Sequence, residues 1–168
     1  MRTLITLFLI AACAMKTPAR ASNESCFDDQ NLKNLQASSK QRGTLIYVWS
    51  PRMVYSVQNI AIASRAAATA GLDLVVLHDM RIPKDEFVQA RQRYASSTTE
   101  VDLATPPFVS PLDQSKPLCS AQLIEREALR HFPTAFVITA RGIHAQPVVG
   151  AMPFSAWISS LDQRMKQP

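Results

Sequence analysis

The apolar positions along the chain change period several times, and each change marks an element. "TLIYVW", residues 44–49 after Gly43, is an unbroken apolar run, β-branched and aromatic, short enough for a strand buried on both faces. "VYSVQNIAIASRAAATAG", residues 54–71, instead carries apolar residues at helical spacing, is rich in alanine, and ends at Gly71, a natural helix stop. "LDLVVLHD", residues 72–79, is a second buried strand, so the first three elements predict a right-handed parallel βαβ unit. Pro83 can open a helix through "KDEFVQARQRYA", with acidic residues in the first turn where the helix dipole favours them.

Residues 96–119, "SSTTEVDLATPPFVSPLDQSKPLC", differ in kind, because prolines 106, 107, 111 and 117 exclude a central strand or a helix interior. They read as a surface excursion with room for an edge strand. Ser120 can cap a helix over "AQLIEREALRH", which Phe132-Pro133 ends before the strand "TAFVITA". Arg141-Gly142 suits a tight turn, and "IHAQPVVGA" returns antiparallel, Pro147 marking a bulge or edge. "PFSAWISSLDQRM" closes the chain as an amphipathic helix with Phe154, Trp157, Ile158 and Leu161 on one face. The predicted order is β-α-β-α, excursion, α-β-β-α, without an internal repeat.

The 168 residues, 47% hydrophobic and 18% charged, fit one globular domain over residues 43–168 preceded by a polar arm, residues 22–42. Residues 1–21 read as a secretory signal peptide: an early arginine, an apolar run from Leu4 to Met15 too short to span a bilayer, then the small-residue pattern Ala19-Arg20-Ala21. In the alternative, Ile10-Ala11-Ala12-Cys13 is a lipobox, Cys13 is lipidated and the protein is anchored to a membrane. Both readings export the chain, most simply to a periplasm.

Removal of residues 1–21 takes away three of the 18 basic residues, leaving 15 against 13 acidic ones. The basic balance therefore belongs largely to the leader, no basic stripe remains, and nucleic acid is not an expected partner. Cys26 and Cys119 are then the remaining cysteines, and an even number in an oxidising compartment points to one disulfide, the alternative being two separate thiols. If they pair, the closed loop exceeds ninety residues, for which chain entropy gives roughly 4–5 kcal/mol. His78, His131 and His144 lack metal-ligand spacing, and neither a metal nor a cofactor is expected.

The element order, with "TLIYVWSPRM", "HFPTAFVITARG" and Gly150 before the last helix, resembles the thioredoxin-like fold, in its exported bacterial branch of TlpA-like and DsbE-like proteins. The resemblance covers roughly Gly43 to the C-terminus. It implies an α/β domain with a central mixed sheet flanked by helices and a proline-rich insertion, and it likens Phe132-Pro133-Thr134 to the family's cis-proline turn. It also implies that Trp49-Ser50-Pro51-Arg52-Met53 occupies the position of Trp-Cys-x-x-Cys, with Ser50 and Met53 replacing both sulfhydryls.

That replacement excludes ordinary dithiol exchange at this loop, since the attacking species is a thiolate and neither a serine hydroxyl nor a thioether can supply one. Ser50 has no Ser-His-Asp order or nucleophile elbow around it to make it another kind of nucleophile. What the resemblance leaves is recognition: Trp49, Arg52, Met53 and Phe132 would line a groove where an extended peptide adds as a strand. Met53 and Phe132 would otherwise pack inward and fill the space of the lost disulfide. The two function classes are thus a non-catalytic exported protein-binding or envelope-assembly module, and an oxidoreductase using a relocated Cys26/Cys119 pair.

Overall fold

A computed structural model of the chain describes residues 26–39, 43–97 and 112–166. The leader with Cys13, part of the arm, and the prolines at 106, 107 and 111 lie outside the described residues. The elements are α1 (Asp29–Ser38), β1 (Thr44–Trp49), α2 (Val54–Gln58), α3 (Ile60–Thr69), β2 (Asp73–Asp79), α4 (Lys84–Ser97), β3 (Lys116–Leu118), α5 (Ala121–Glu125), β4 (Thr134–Thr139), β5 (Gly142–Ile143), β6 (Val148–Val149) and α6 (Phe154–Lys166).

Among the described residues the strands form one mixed sheet in the order β3-β2-β1-β4-β5, with β6 also on β4. β1 and β2 pair in parallel, Thr44 opposite Asp73 and Trp49 opposite His78, which is the predicted βαβ pairing. β4 runs antiparallel to β1, with Val48 opposite Thr134. β1 is therefore central, and alternation along it divides the interior. Leu45, Tyr47 and Trp49 join α3, α6 and Leu112 on one face. Ile46 and Val48 join Leu32 of α1, Leu123 of α5 and Phe136 on the other.

Gly43 enters β1 where a Cβ would lie 2.7 Å from Leu72 Cδ2 and 3.0 Å from the Ile138 carbonyl, so only glycine fits without displacement. Pro117 sits in an edge strand, as expected. Phe27 N–H donates to the Pro117 carbonyl at 2.9 Å from the outer side, so the missing proline N–H also faces outward and the ladder to β2 is intact.

Two helices depart from expectation. The run from Val54 is divided at Asn59, whose amide Nδ2 donates to the Met152 carbonyl at 2.9 Å while its Oδ1 accepts from Trp157 Nε1 at 2.7 Å. The helix read as Ala121–His131 stops at Glu125. It ends as α3 ends. At α3, Leu72 N–H donates to Ala67 C=O and Gly71 N–H to Ala68 C=O; at α5, Ala128 N–H donates to Leu123 C=O and Glu127 N–H to Ile124 C=O. Both are Schellman closures with a left-handed residue, Gly71 at φ 70° and Glu127 at φ 62°. Only the first carries the glycine that makes the stop legible, while burial of Ala128 beside Leu123 enforces the second. Glu127→Gly should therefore raise stability by about 0.5–1 kcal/mol, since the exposed Glu127–Arg130 ion pair it removes contributes little. Thermal unfolding measures this, and an unchanged or lower midpoint would remove the strain argument.

Candidate functional site

The parallel strands β1, β2 and β3 end at the same side of the sheet, and the chemistry-bearing segments gather there. Trp49, the last residue of β1, is fully buried rather than lining a groove, which corrects the expectation for this residue. Its Nε1 donates to Ser115 Oγ at 2.9 Å, and the same hydroxyl lies 2.9 Å from His78 Nδ1. Phe87 of α4 packs on both rings, with centroids 5.6 Å from Trp49 and 4.8 Å from His78. One hydroxyl thus ties together the ends of β1 and β2 and the approach to β3. Sequence reasoning missed Ser115 because nothing local marks a serine 66 positions from its tryptophan.

Ser50 is 2% exposed, so it does not present a nucleophile to solvent. The backbone turns at Pro51-Arg52, with Met53 N–H donating to the Ser50 carbonyl at 3.0 Å. Ser56 clips this turn from inside: its Oγ accepts from Ser50 N–H at 3.2 Å and lies 2.8 Å from the Ser50 carbonyl and 2.7 Å from that of Met53. Pro51 is buried, while Met53, Val54 and Tyr55 emerge at 45%, 49% and 70% exposure.

Arg52, expected as an exposed donor, is exposed and forms a two-pronged pair with Glu86 of α4, Nε to Oε2 at 2.9 Å and Nη2 to Oε1 at 3.0 Å. That hydrogen bonding holds the Glu86 carboxyl below the usual carboxylate range and raises the Arg52 guanidinium. Nearby, burial raises Asp79, but the hydrogen bonds and charge of Arg81 outweigh it and leave Asp79 below its ordinary value.

The Phe132-Pro133 peptide is cis, and the β1–β4 register puts Pro133 at the same end of the ladder as Trp49. The Pro133 carbonyl accepts from Gly150 N–H at 2.8 Å, and Thr134 is buried with its hydroxyl on the His131 carbonyl. Of the residues assigned to a groove, Phe132 packs against the α1–α5 side of the core and Met53 remains exposed, so the two part company.

Cys26 and Cys119 are joined in a disulfide, Cα atoms 5.8 Å apart and 93 positions apart in sequence. Both are half-buried. Cys119 follows β3 directly and therefore lies at the same end of the sheet as the Ser50 turn, with β2 between them; its Sγ is 3.9 Å from the Sδ of exposed Met80. Cys119 N–H donates to the Phe27 carbonyl at 2.9 Å, so the bond fastens a bridge already held by the backbone. His144 Nδ1 accepts from Gln146 N–H, and no group of three His, Cys, Asp or Glu side chains able to hold a metal occurs among the described residues. None of the helices among them is long and apolar enough to cross a membrane.

No protein-family model and no curated protein matches the chain. Solved structures do. A thioredoxin-type protein from Neisseria meningitidis, determined in solution, is 16% identical with a TM-score of 0.50 and matches over 78% of this chain and 79% of its own. A thiol:disulfide interchange protein of the thioredoxin family from Chlorobium tepidum is 14% identical, TM-score 0.49, over 77% and 84%. A secreted Mycobacterium tuberculosis disulfide oxidoreductase homologous to E. coli DsbE is 15% identical, TM-score 0.46, over 76% and 85%. At such identities the likeness concerns architecture, and together with the mixed sheet and its flanking helices it establishes that the chain has the thioredoxin-like fold.

Proposed function

We propose that this chain is an exported thioredoxin-like module that binds a protein partner through the end of β1 and does not exchange disulfides there. The carrying observation is the contrast within one turn: Ser50 and Met53 leave no thiolate, while Met53, Val54 and Tyr55 present consecutive apolar side chains to solvent beside the Arg52–Glu86 pair. An apolar or extended segment of an envelope protein is the matching partner chemistry, and no cofactor is required. Export rests on the leader, with lipidation at Cys13 as the anchored variant.

A photo-crosslinking residue in place of Tyr55 should capture a discrete envelope partner in the producing cell. Met53→Asp should reduce that capture at least ~10-fold, because a charge placed in an apolar contact must be desolvated. Capture that ignores Met53→Asp, with the variant folded, would sink the reading.

A second reading is favoured by the half-buried Cys26–Cys119 bond at the same end of the sheet: a relocated redox pair. Equilibration with glutathione buffers separates the two. A staple titrates below about −300 mV, and a catalytic couple at a distinctly more oxidising potential with insulin reduction by the protein.

A further inference from the structure

Among the described residues β2 is covered on its outer side at Leu77–Asp79, by β3, and its first half borders a cleft of about 890 Å³. Backbone direction along β2 is fixed by two observations. Asp73 N–H donates to the Gly43 carbonyl on the β1 side, and in a strand successive residues point their N–H and C=O groups to opposite sides. Leu74 and Val76 therefore aim theirs at the cleft. Lys116 N–H meets the Val76 carbonyl in the β2–β3 register, which leaves Leu74 N–H, Leu74 C=O and Val76 N–H without a backbone partner among the described residues. Val76 is nevertheless buried and Leu74 half-buried. Backbone groups at such depth ordinarily find partners.

Residues 112–115 do not extend β3 along the first half of β2: the ladder begins at Lys116, and Ser115 N–H instead donates to the Leu112 carbonyl in a turn. The cleft has walls: Asn31, Asn34 and Ser38 of α1 on one side, Ser64 of α3 on the other, with Gln114 and Lys116 at the β3 end. A second copy of this chain carries the same walls around its own β2 edge, which disfavours pairing of two such edges. A single extended segment can enter. The charge decides its direction. Among the described residues Lys116 is the charged side chain lining the cleft, it is exposed, and it has no carboxylate partner. A strand parallel to β2, continuing β3's line, brings its carboxyl terminus to Lys116, whereas an antiparallel one brings an ammonium there.

We infer that the β2 edge between α1 and α3 is a second docking site, which takes the extended carboxyl-terminal tail of a partner protein by strand addition, its terminal carboxylate on Lys116. The site is distinct from the surface at Met53–Tyr55 and does not depend on that reading.

The probe is a hexapeptide of alternating Thr and Val with a free carboxyl terminus, since main-chain hydrogen bonds carry strand addition and tolerate sequence. In the oxidised, leader-free protein, the amides of Leu74 and Val76 should gain hydrogen-exchange protection on adding it. The carboxamide form of the peptide should bind about 10-fold more weakly, and Lys116→Glu should weaken the free acid by on the order of 10-fold or more. Leu74→Pro removes an outward N–H at an edge where proline is tolerated, and should abolish binding. If that variant melts early, the peptide N-methylated at alternate positions makes the same test from the ligand side. The inference is overturned by absent protection at millimolar peptide, by equal binding of acid and carboxamide together with an inert Lys116→Glu, or by protection that rises with protein concentration alone, which would assign the edge to a second copy.

Discussion

Replacing Cys26 and Cys119 together by serine should lower the stability of the domain by about 4 kcal/mol, the largest single effect expected in this chain. The bond spans a sequence separation of 93, and for a loop near that length the chain-entropy account gives roughly 4–5 kcal/mol, of which strain and residual unfolded structure remove part. The loss is not confined to the unfolded state. The bond holds residue 26 next to the Phe27–Leu118 bridge, from which α1 runs across the sheet, and the Ser120 hydroxyl and the Gln122 N–H both donate to the Asp29 carboxylate in the first turn of that helix. Serine leaves these contacts sterically possible but no longer enforced. At roughly 2–4 °C per kcal/mol for a domain of this size, the melting midpoint should fall by about 10 °C. Circular dichroism on the oxidised protein, the double variant and the protein in reductant measures it, and the last two should agree. A change below about 1 kcal/mol would show that the bond does not staple the fold, and would shift weight toward the redox reading.

The strands and the long helices were legible because their signals are local. A run such as "TLIYVW" is apolar because both faces of β1 are covered, and Gly71 announces the end of α3 because its left-handed φ favours glycine. The edge position of β3 was likewise readable from Pro117. What escaped depends on residues distant in sequence. α5 stops at Glu125 through tertiary burial of Ala128, with no glycine to mark the stop. The division at Asn59 answers to Met152 and Trp157, more than ninety positions away. At the site, the sequence could tell that Ser50 and Met53 carry no thiol, yet not which would face solvent. The structure buries Ser50 and Trp49 and exposes Met53, a distribution set by the Ser56 clip and the Ser115 hydroxyl.

Ser56→Ala should cost about 2–3 kcal/mol and release the turn that presents Met53–Tyr55. Ser56 is fully buried in α2, and its hydroxyl has one proton to give to either the Ser50 or the Met53 carbonyl while it accepts from Ser50 N–H. Alanine fills nearly the same volume, so packing changes little. It leaves Ser50 N–H, on a residue almost removed from solvent, with no acceptor; a buried donor abandoned in this way costs about 1–3 kcal/mol, and the lost bond to a carbonyl adds to it. The Tyr47 hydroxyl donates to the Ser56 backbone carbonyl at 2.7 Å and is untouched, so α2 itself should stay docked. The effect should therefore appear locally: hydrogen exchange at Ser50 and Met53 should accelerate well beyond the change in global stability, while amides in β1 track the global loss. Capture of a partner at Tyr55 should weaken in the same variant, because a surface held in one shape binds at less entropic cost than one that must be ordered on contact. A loss below about 0.5 kcal/mol, with unaltered exchange at Ser50, would mean that the turn keeps its shape without Ser56, and that Met53 owes its exposure to the Pro51-Arg52 backbone and the Arg52–Glu86 pair instead.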